Sequence, residues 1–400
     1  MDDSRFHSSY IPVLKYLRPQ LFIIIKNFLK NFEDDVVKYL KNSDVFVVDA
    51  EGAMTAERCE FHFKHFGLDV TKTVGVVKKA FLWNEEFAKF LIDFYGADKE
   101  KLVVSGSPKF SLSRYIQDIQ LDKKINSKKK IGFVGRFSVS NDYMRRTVLK
   151  TIIERDSQKD IYSHGVYGEI NVLTVYLNVI KRIIKETDYI ISIRPHPNEF
   201  VESWFTLREI YGDRIIISED EDYLEWMIDL DTIVTCPSTS MLESIMHNKK
   251  VICIDKITNA HTMHAYFEDM LDQLVIATIR PDNEEELFEI IKSSKLVMPE
   301  RSNNFKNTIK RYYDLSENSG NQAIEKILKF ILNNYRSSIM NLIKGYIYFP
   351  IFYLINLYTW LKTYIRRKSE FNYHYNLINT RPPKILNTLS KKIIDSIHND

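Results

Sequence analysis

The sequence predicts an α/β protein in which two parallel, doubly wound domains follow each other along the chain. Short apolar runs rich in β-branched residues alternate with amphipathic segments, the pattern of strands alternating with helices. A polar, lysine-rich stretch from Leu121 to Lys130 divides the runs into two sets and is typical of a linker. Several runs end in loops that carry Pro, Ser, His or Asp. Parallel strands would place such loops on one edge of a sheet.

The first predicted domain covers residues 1–122. Its predicted elements are a helical stretch over residues 1–43, a strand at Val45–Val48, a short strand leading into a helix at Asn84–Tyr95 that ends at Gly96, and a strand and turn at Lys101–Phe110.

The second predicted domain covers residues 128–300, with closing helices at 301–336 and a separate tail at 337–400. Its predicted elements are a strand before the loop that contains Gly135 and Arg136, a helix at Val172–Lys185, strands at Tyr189–Ile193, Arg214–Ser218, Thr232–Cys236 and Val251–Asp255, and helices from Tyr223, after Ser238 and at Glu284–Ser294. A further helix is predicted at Asn318–Leu332.

The composition excludes some classes of protein. The 400 residues are 44% hydrophobic and 27% charged, as in a globular protein with an ample core. The net charge of +3 is too small to indicate a nucleic-acid partner. The cysteines, Cys59, Cys236 and Cys253, are too far apart for a disulfide framework or a CxxC metal site, which fits the reducing cytoplasm.

The segment Ile190–Phe200 is the centre of the predicted site. Its buried strand stops at Arg194, and the two prolines Pro195 and Pro197 stiffen the turn that carries His196. A turn histidine that bonds to neighbouring backbone is one interpretation. The other, favoured by Arg194 beside it, is a cation or donor that faces a phosphate or diphosphate.

A second motif, Cys236-Pro237-Ser238-Thr239-Ser240, begins a helix about 40 residues later. A helix cap needs a single hydroxyl, and this motif supplies three. The free backbone N–H groups at a helix start, together with hydroxyl donors, can bind phosphate. We therefore expect Ser238, Thr239 and Ser240 to contact the same anion as His196, with Gly135 and Arg136 on the neighbouring loop.

Asp49 and Glu51 follow the strand at Val45–Val48 and are candidates for a general base or a nucleophile. A turn carboxylate is the alternative interpretation for either residue. Glu51, before Gly52, is the first choice and Asp49 the second.

Three other charged features are weaker candidates. Asp220-Glu221-Asp222 matches an Asp-x-Asp metal motif but stands at a helix start, where acidic residues favour the helix dipole, so we predict no metal site. Glu243 is either a solvated carboxylate or a ligand of ribose hydroxyls. The lysines Lys128–Lys130 are predicted to be solvated linker residues.

The tail contains a sixteen-residue apolar run, Tyr346–Leu361, which is short for a membrane span. Aromatic residues and the basic residues that follow it are typical of a helix that lies on an anionic membrane surface, here over residues 341–368. Packing against the body of the protein or a partner is the alternative.

With Arg194–Pro197, Cys236–Glu243, Gly106–Phe110 and Asp49–Gly52 all present, the chain resembles bacterial glycosyltransferases of surface-carbohydrate (capsule and lipopolysaccharide) biosynthesis, of the GT-B kind with two Rossmann domains. It is similar to sialyltransferases and Kdo transferases that use CMP-sugars. The resemblance covers about Val45–Asp255. The acidic motif departs from the family, because it reads Asp-Ala-Glu-Gly.

This resemblance implies a metal-independent glycosyltransferase without a cofactor, in which CMP-Kdo or a related CMP-ulosonate is the nucleotide-sugar donor. Glu51 would act as base or nucleophile, and His196, Ser238 and Ser240 would hold the donor phosphate. The implied acceptor is a lipid-linked glycan, and the implied location is the cytoplasmic face of the inner membrane.

Three alternatives remain open. A CDP-glycerol-type polyol-phosphate transferase shares the RPHP and Ser motifs and would need another histidine as base, for which His62, His65 and His164 are available. A sugar-nucleotide epimerase has the same architecture, although its Ser-Gly-Gly phosphate loop is replaced here by Ser238-Thr239-Ser240. The third is a non-catalytic protein that binds nucleotide sugars.

Overall fold

A computed structural model describes residues 21–26, 37–38, 40, 44–49, 60, 70–111, 128–154, 159–218, 223–238, 240–258, 268–293, 299, 302–313 and 323–334. These residues belong to two compact units. Unit 1 contains the described residues up to 111 and from 306 onward, and unit 2 contains those from 128 to 305. The predicted boundary between the domains, 122–128, lies almost entirely outside the described residues.

Unit 1 is built on a parallel sheet in which four described strands follow one another in the order β1-β2-β3-β4. The strands are β1 (Leu21–Lys26), β2 (Asp44–Asp49), β3 (Val77–Leu82) and β4 (Leu102–Val104). Because all four run the same way, Asp49 at the end of β2 and the turn after β4 lie on the same, carboxyl edge of this sheet.

Strand β1 corrects the prediction that residues 1–43 are helical throughout. Its run of Phe22 and three isoleucines pairs in parallel register with β2, from Leu21 opposite Asp44 to Lys26 opposite Asp49. β-branched side chains suit a pleated, partly buried surface, and here a neighbouring strand is present to pair with them. Residues 37, 38 and 40 are helical, as predicted.

The described helices of unit 1 cover both faces of its sheet. They are α1 (Thr71–Val76), α2 (Glu85–Tyr95), the single turn α3 (Pro108–Ser111) and α13 (Ala323–Asn334), with the carboxyl-terminal part of α12 (Asn303–Tyr313). Phe87 and Leu91 of α2 pack with Val45 and Val47 on one face. On the other face, Phe330 of α13 contacts Phe46 and Phe81, with ring centroids 5.4 and 5.8 Å away.

Helix α2 begins and ends where the sequence predicts. The side chain of Asn84 accepts a hydrogen bond from the backbone N–H of Phe87 at 2.8 Å, which caps the amino end. Gly96 adopts a left-handed conformation (φ 62°) at the carboxyl end. The predicted strand before this helix begins later than expected, because residues 71–76 form α1.

Unit 2 contains a parallel sheet of five described strands in the order β7-β6-β5-β8-β9. The strands are β5 (Lys130–Val134), β6 (Ile190–Arg194), β7 (Ile215–Ile217), β8 (Thr232–Thr235) and β9 (Lys250–Cys253). In order of sequence this arrangement is 3-2-1-4-5, the strand order of a Rossmann domain. Ile279 pairs with Ile252 beyond β9 in the position of a sixth parallel strand.

Helices lie against both faces of this sheet. The described helices are α4 (Val148–Glu154), α5 (Lys159–Glu186), α6 (Glu202–Tyr211), α7 (Tyr223–Ile228), α8 (Ser240–Met246), α9 (Asp255–Thr258), α10 (Glu268–Ile276) and α11 (Glu284–Lys292), with the start of α12. Ile131 and Phe133 of β5 pack with α5 and α11 on one face. On the other, a Cβ at Gly132 would lie 2.9 Å from Trp226 and 2.3 Å from Leu230. Only glycine leaves α7 room to pack so closely.

Helix α5 is longer than the predicted helix Val172–Lys185, since it begins at Lys159. Gly165 and Gly168 interrupt the apolar pattern there, but a helix interior tolerates glycine at a cost of about 1 kcal/mol. The strands β5–β9 and the helices α7, α8 and α11 occur where the sequence predicts them, with ends displaced by a few residues.

These two sheets confirm the predicted fold class: the protein is α/β, with two Rossmann-like units. Among the residues that the structure describes, no helix has both the length and the apolar character needed to cross a membrane. The predicted membrane-associating tail, 337–400, lies outside the described residues.

Candidate functional site

Three loops of unit 2 follow the adjacent strands β6, β5 and β8. They are the Arg194–Pro197 loop after β6, the loop that starts at Gly135 after β5, and the Cys236–Ser240 loop after β8. Because the chain leaves β5 for β6 on one side and reaches β8 on the other, the strand order reverses between β5 and β8. Such a switch point is where open α/β sheets bind ligands, so the predicted site loops lie together on the expected edge.

Arg136 connects the loops after β5 and β8. Its Nη1 donates a hydrogen bond to the carbonyl oxygen of Pro237 at 2.6 Å and lies 3.7 Å from the Sγ atom of Cys236. One guanidinium group therefore joins two of the three loops.

His196 is exposed and carries its ring in a defined orientation. Nδ1 accepts a hydrogen bond from the backbone N–H of Asn198 at 3.1 Å. Partial burial of the ring lowers the pKa of His196, and the charges of Arg136 and Arg194 lower it further. The ring is therefore neutral at pH 7, and since Nδ1 is an acceptor, the proton is on Nε2. The turn-histidine contact weighed from the sequence exists, and it leaves Nε2–H as a donor.

Arg194 is linked to the start of α8 through Tyr223. The Arg194 guanidinium carbon lies 5.7 Å from the centre of the Tyr223 ring, at the outer limit of a cation–π contact. The Tyr223 hydroxyl bonds to Ser244 Oγ at 2.8 Å and to the carbonyl oxygen of Ser240 at 3.3 Å. Burial raises the pKa of Tyr223, so the hydroxyl stays protonated.

The hydroxyls of the Ser motif bond first to each other. Ser238 Oγ accepts hydrogen bonds from the Ser240 backbone N–H at 3.3 Å and from Ser240 Oγ at 3.0 Å. This is the capping role weighed from the sequence, and in the described part of the motif it leaves the Ser238 hydroxyl proton as a donor. Thr239 lies outside the described residues.

Two buried carboxylates that the sequence analysis missed hold the loop after β5. Glu199 Oε1 accepts from the backbone N–H of Phe137 at 2.9 Å. Glu169 on α5 accepts from Val139 at 3.2 Å and Ser140 at 2.7 Å. Burial raises the pKa of Glu169, and it raises that of Glu199 to about 7. The backbone donors at Phe137, Val139 and Ser140 are thus engaged by carboxylates.

Gly135 belongs to this arrangement for steric reasons. Its backbone N–H donates to the carbonyl oxygen of Arg194 at 2.7 Å. A Cβ on Gly135 would lie 2.6 Å from Glu199 Oε1, 2.8 Å from the Arg194 oxygen and 2.8 Å from Pro195 Cα. Gly135 therefore lets the loops after β5 and β6 approach each other.

The acidic motif of unit 1 is described only at Asp49. That residue is completely buried, and its carbonyl oxygen accepts a hydrogen bond from Trp83 Nε1 at 2.8 Å. Asp49 is therefore enclosed within unit 1, and the choice between Glu51 and Asp49 as the reacting carboxylate stays a prediction. Glu51, His62 and His65 lie outside the described residues, as does the side chain of His164.

The other charged candidates have mixed outcomes. Glu243 is buried, so it is not the solvated carboxylate that was one of its two interpretations. Lys129 is not a solvated linker residue, because its Nζ donates to the carbonyl oxygens of Ile291 at 2.6 Å and Ser293 at 3.3 Å, at the end of α11. Residues 220–222 lie outside the described part of the chain.

The thiols of Cys236 and Cys253 are free and buried. Within the described ranges, no three His, Cys, Asp or Glu side chains are grouped as metal ligands.

Comparison with known proteins gives structural likeness alone. No protein-family profile and no curated protein sequence matches the chain. The S. aureus MnaA–UDP co-structure is 16% identical over 84% of this chain and 81% of that chain, with a TM-score of 0.42. The Methanocaldococcus jannaschii UDP-GlcNAc 2-epimerase with UDP-GlcNAc and UDP is 15% identical over 82% of this chain and 80% of that chain, with a TM-score of 0.43. The wall teichoic acid polymerase TagF with CDPG is 12% identical over 78% of this chain and 72% of that chain, with a TM-score of 0.46.

Proposed function

We propose that the protein is an enzyme that transfers a sugar from a nucleotide-activated donor. The observation that supports this proposal is the position of Arg136, Arg194 and His196 on the two adjacent loops after β5 and β6, beside the switch point of unit 2. Two guanidinium groups and a neutral Nε2–H donor form an anion site, which we call the switch-point cluster. Guanidinium groups bind phosphate and carboxylate groups by paired N–H···O bonds.

This cluster would stabilise the leaving nucleotide. When the bond between the sugar and the phosphate breaks, negative charge grows on the phosphate oxygens. Arg136 and Arg194 would neutralise that charge, and His196 would donate a hydrogen bond from Nε2. The positive charge comes from side chains already in position, so the reaction proceeds without a metal ion. Ser238 would add its hydroxyl proton, and Glu243 of α8 would contact the ribose.

The carboxylate that acts on the acceptor is Glu51. An inverting enzyme would use it as the base that deprotonates the acceptor hydroxyl, and a retaining enzyme would use it as the nucleophile.

The two guanidinium groups match a donor with two anionic groups. CMP-Kdo and other CMP-ulosonates carry a phosphodiester and a carboxylate, whereas UDP-sugars and CDP-glycerol carry two phosphates. A CDP-glycerol-type transferase or a UDP-sugar epimerase is therefore the second candidate, and the chain is similar in structure to a UDP-GlcNAc 2-epimerase and to the wall teichoic acid polymerase TagF with CDPG. His196 would be a donor in either case, because its Nδ1 is engaged and its Nε2 is protonated.

The acceptor that we propose is a lipid-linked glycan at the cytoplasmic face of the inner membrane. Residues 341–368 would hold the enzyme there through apolar and basic side chains.

Thermal-shift titrations with CMP, CDP, UDP and GDP test the donor class. A nucleotide that binds the folded state raises the melting temperature as its concentration increases. We expect CMP, CDP or UDP to do so in the wild type and to lose the effect in Arg194→Gln, with Arg208→Gln on the exposed side of α6 as the control. Absence of a shift with all four nucleotides would contradict the proposal. Product analysis with the stabilising nucleotide's sugar then separates transfer from epimerisation.

A further inference from the structure

We propose that Glu199 is a positioning residue, which holds the backbone of His196 and Phe137 so that His196 and Arg136 face the same ligand phosphate. The ligand part of this inference rests on the proposed function. The positioning part depends only on the contacts of Glu199.

A single carboxylate oxygen bridges two loops. Glu199 Oε1 accepts one hydrogen bond from the backbone N–H of His196 and another from that of Phe137, each 2.9 Å long. His196 belongs to the loop after β6, and Phe137 follows Arg136 on the loop after β5. Any displacement of this oxygen would move both loops, and with them the two side chains that are proposed to meet the anion.

The second carboxylate oxygen is held just as firmly. Glu199 Oε2 accepts a hydrogen bond from Trp204 Nε1 at 2.8 Å, and the Trp204 ring packs against Phe137 with centroids 5.5 Å apart. Glu199 itself is 3% exposed. The carboxylate is thus fixed between α6 and the two loops, where solvent does not compete for it.

The donors around Glu199 require a carboxylate. Three N–H groups point at its two oxygens, and an ionised carboxylate accepts all three. A glutamine has the same shape, but its NH₂ group would face either Trp204 Nε1–H or the two backbone N–H groups. Donor would then face donor in either orientation of the amide. Glu199→Gln is therefore a small change in volume that breaks this set of hydrogen bonds.

The position of Glu199 has no other evident use in the site. Both of its oxygens already accept hydrogen bonds from the protein, and burial of a charged group is costly unless its partners compensate. Burial raises its pKa to about 7, and the hydrogen bonds from Phe137, His196 and Trp204 oppose that shift because they favour the ionised form.

The experiment compares Glu199→Gln with Glu209→Gln, the same change at an exposed position of α6. Isothermal titration with UDP and with CMP gives the affinity, thermal unfolding gives the stability, and ¹⁵N-histidine labelling reports the backbone amide of His196, assigned with His196→Asn. We expect Glu199→Gln to lower nucleotide affinity at least tenfold and to shift the His196 amide resonance upfield. Glu209→Gln should match the wild type in all three measurements.

A double variant distinguishes positioning from general damage to the fold. Trp204→Phe removes the N–H that opposes the new amide, so adding it to Glu199→Gln should recover part of the affinity and of the amide shift. If the wild type binds none of CMP, CDP, UDP and GDP, the proposed function fails, but the amide shift still tests Glu199. An unchanged His196 amide and unchanged affinity in Glu199→Gln would overturn the inference, as would a loss of affinity explained by unfolding and not relieved by Trp204→Phe.

Discussion

Arg136 donates a hydrogen bond to the carbonyl oxygen of Pro237, a residue 101 positions later in the chain, at 2.6 Å. This contact joins the two loops on either side of the point where the strand order of unit 2 reverses. It fixes a guanidinium group beside the Ser motif. Burial lowers the pKa of His196 on the neighbouring loop, and the charges of Arg136 and Arg194 lower it further. The proposed anion site depends on this arrangement of two loops around one cation.

Replacing Gly135 by alanine should separate the loops after β5 and β6. The new Cβ would lie within 3 Å of the Arg194 carbonyl oxygen and of Pro195 Cα, which are backbone atoms and cannot rotate away. We expect a loss of about 1–3 kcal/mol in the free energy of unfolding, the usual cost of overpacking. Chemical denaturation measures it. Gly165→Ala is the control: nothing lies within 4 Å of its Cβ, so it should be at least as stable as the wild type, because alanine favours the helix. A Gly135→Ala variant as stable as the wild type would contradict the close approach.

Two substitutions test the roles of the two ring nitrogens of His196 separately. Asparagine can replace Nδ1 as the acceptor from Asn198 but lacks the distant donor, whereas glutamine places an amide N–H near the position of Nε2. We expect His196→Asn to weaken nucleotide binding about tenfold, the value of one hydrogen bond of about 1.4 kcal/mol, and His196→Gln to retain most of the affinity. Isothermal titration measures both. A greater loss of nucleotide affinity in His196→Gln than in His196→Asn would show that the Nδ1 contact contributes more to binding than the Nε2 donor.

His247 should make the protein sensitive to acid. The residue is 4% exposed, and within the described residues neither ring nitrogen has a hydrogen-bond partner. Burial lowers the pKa of His247 to about 4, and the charge of Lys249 contributes. Between this pKa and the unfolded value of about 6.5, the unfolded chain binds the extra proton. Stability present above pH 6.5 is therefore lost as the pH falls toward 4, by about 3 kcal/mol.

His247→Leu should remove this loss, because leucine has no group to protonate. The measured quantity is the difference in the free energy of unfolding between the variant and the wild type. A difference is needed because Glu199 changes the stability in the opposite direction as the pH falls. Its raised pKa means that the folded state binds its proton first, which favours the folded state as the pH falls from 7. Denaturation curves at pH 7.5, 6 and 5 give the difference. If it stays constant over that range, His247 is not the group that titrates.

The sequence was sufficient for the parts of the fold that have local signals. The apolar run before Arg194 and the proline after it predict β6 and its loop, and the hydroxyls after Pro237 predict the start of α8. Parallel strand direction then places both loops on one edge, as the sheet of unit 2 shows. Strand β1 was missed because its isoleucines suit a helix or a strand, and its pairing with β2 is a contact between distant residues.

The supporting carboxylates could not be found in the same way. Glu199 looks like a surface residue of a turn, and Glu169 like a polar position of a helix. Their importance comes from backbone N–H groups that tertiary folding brings to them from another loop. The sequence contained a weak signal for Glu199, which closely follows the predicted binding loop and precedes Trp204. Asp49 shows the reverse, a carboxylate at a strand end that folding buries.

A crystal structure of the protein with bound UDP or CMP tests the central claim most directly. The account predicts that a phosphate oxygen lies at hydrogen-bonding distance, about 3 Å, from the guanidinium groups of Arg136 or Arg194 and from His196 Nε2. A nucleotide bound away from the carboxyl edge of the unit 2 sheet, or with its phosphate out of reach of all three side chains, would contradict it.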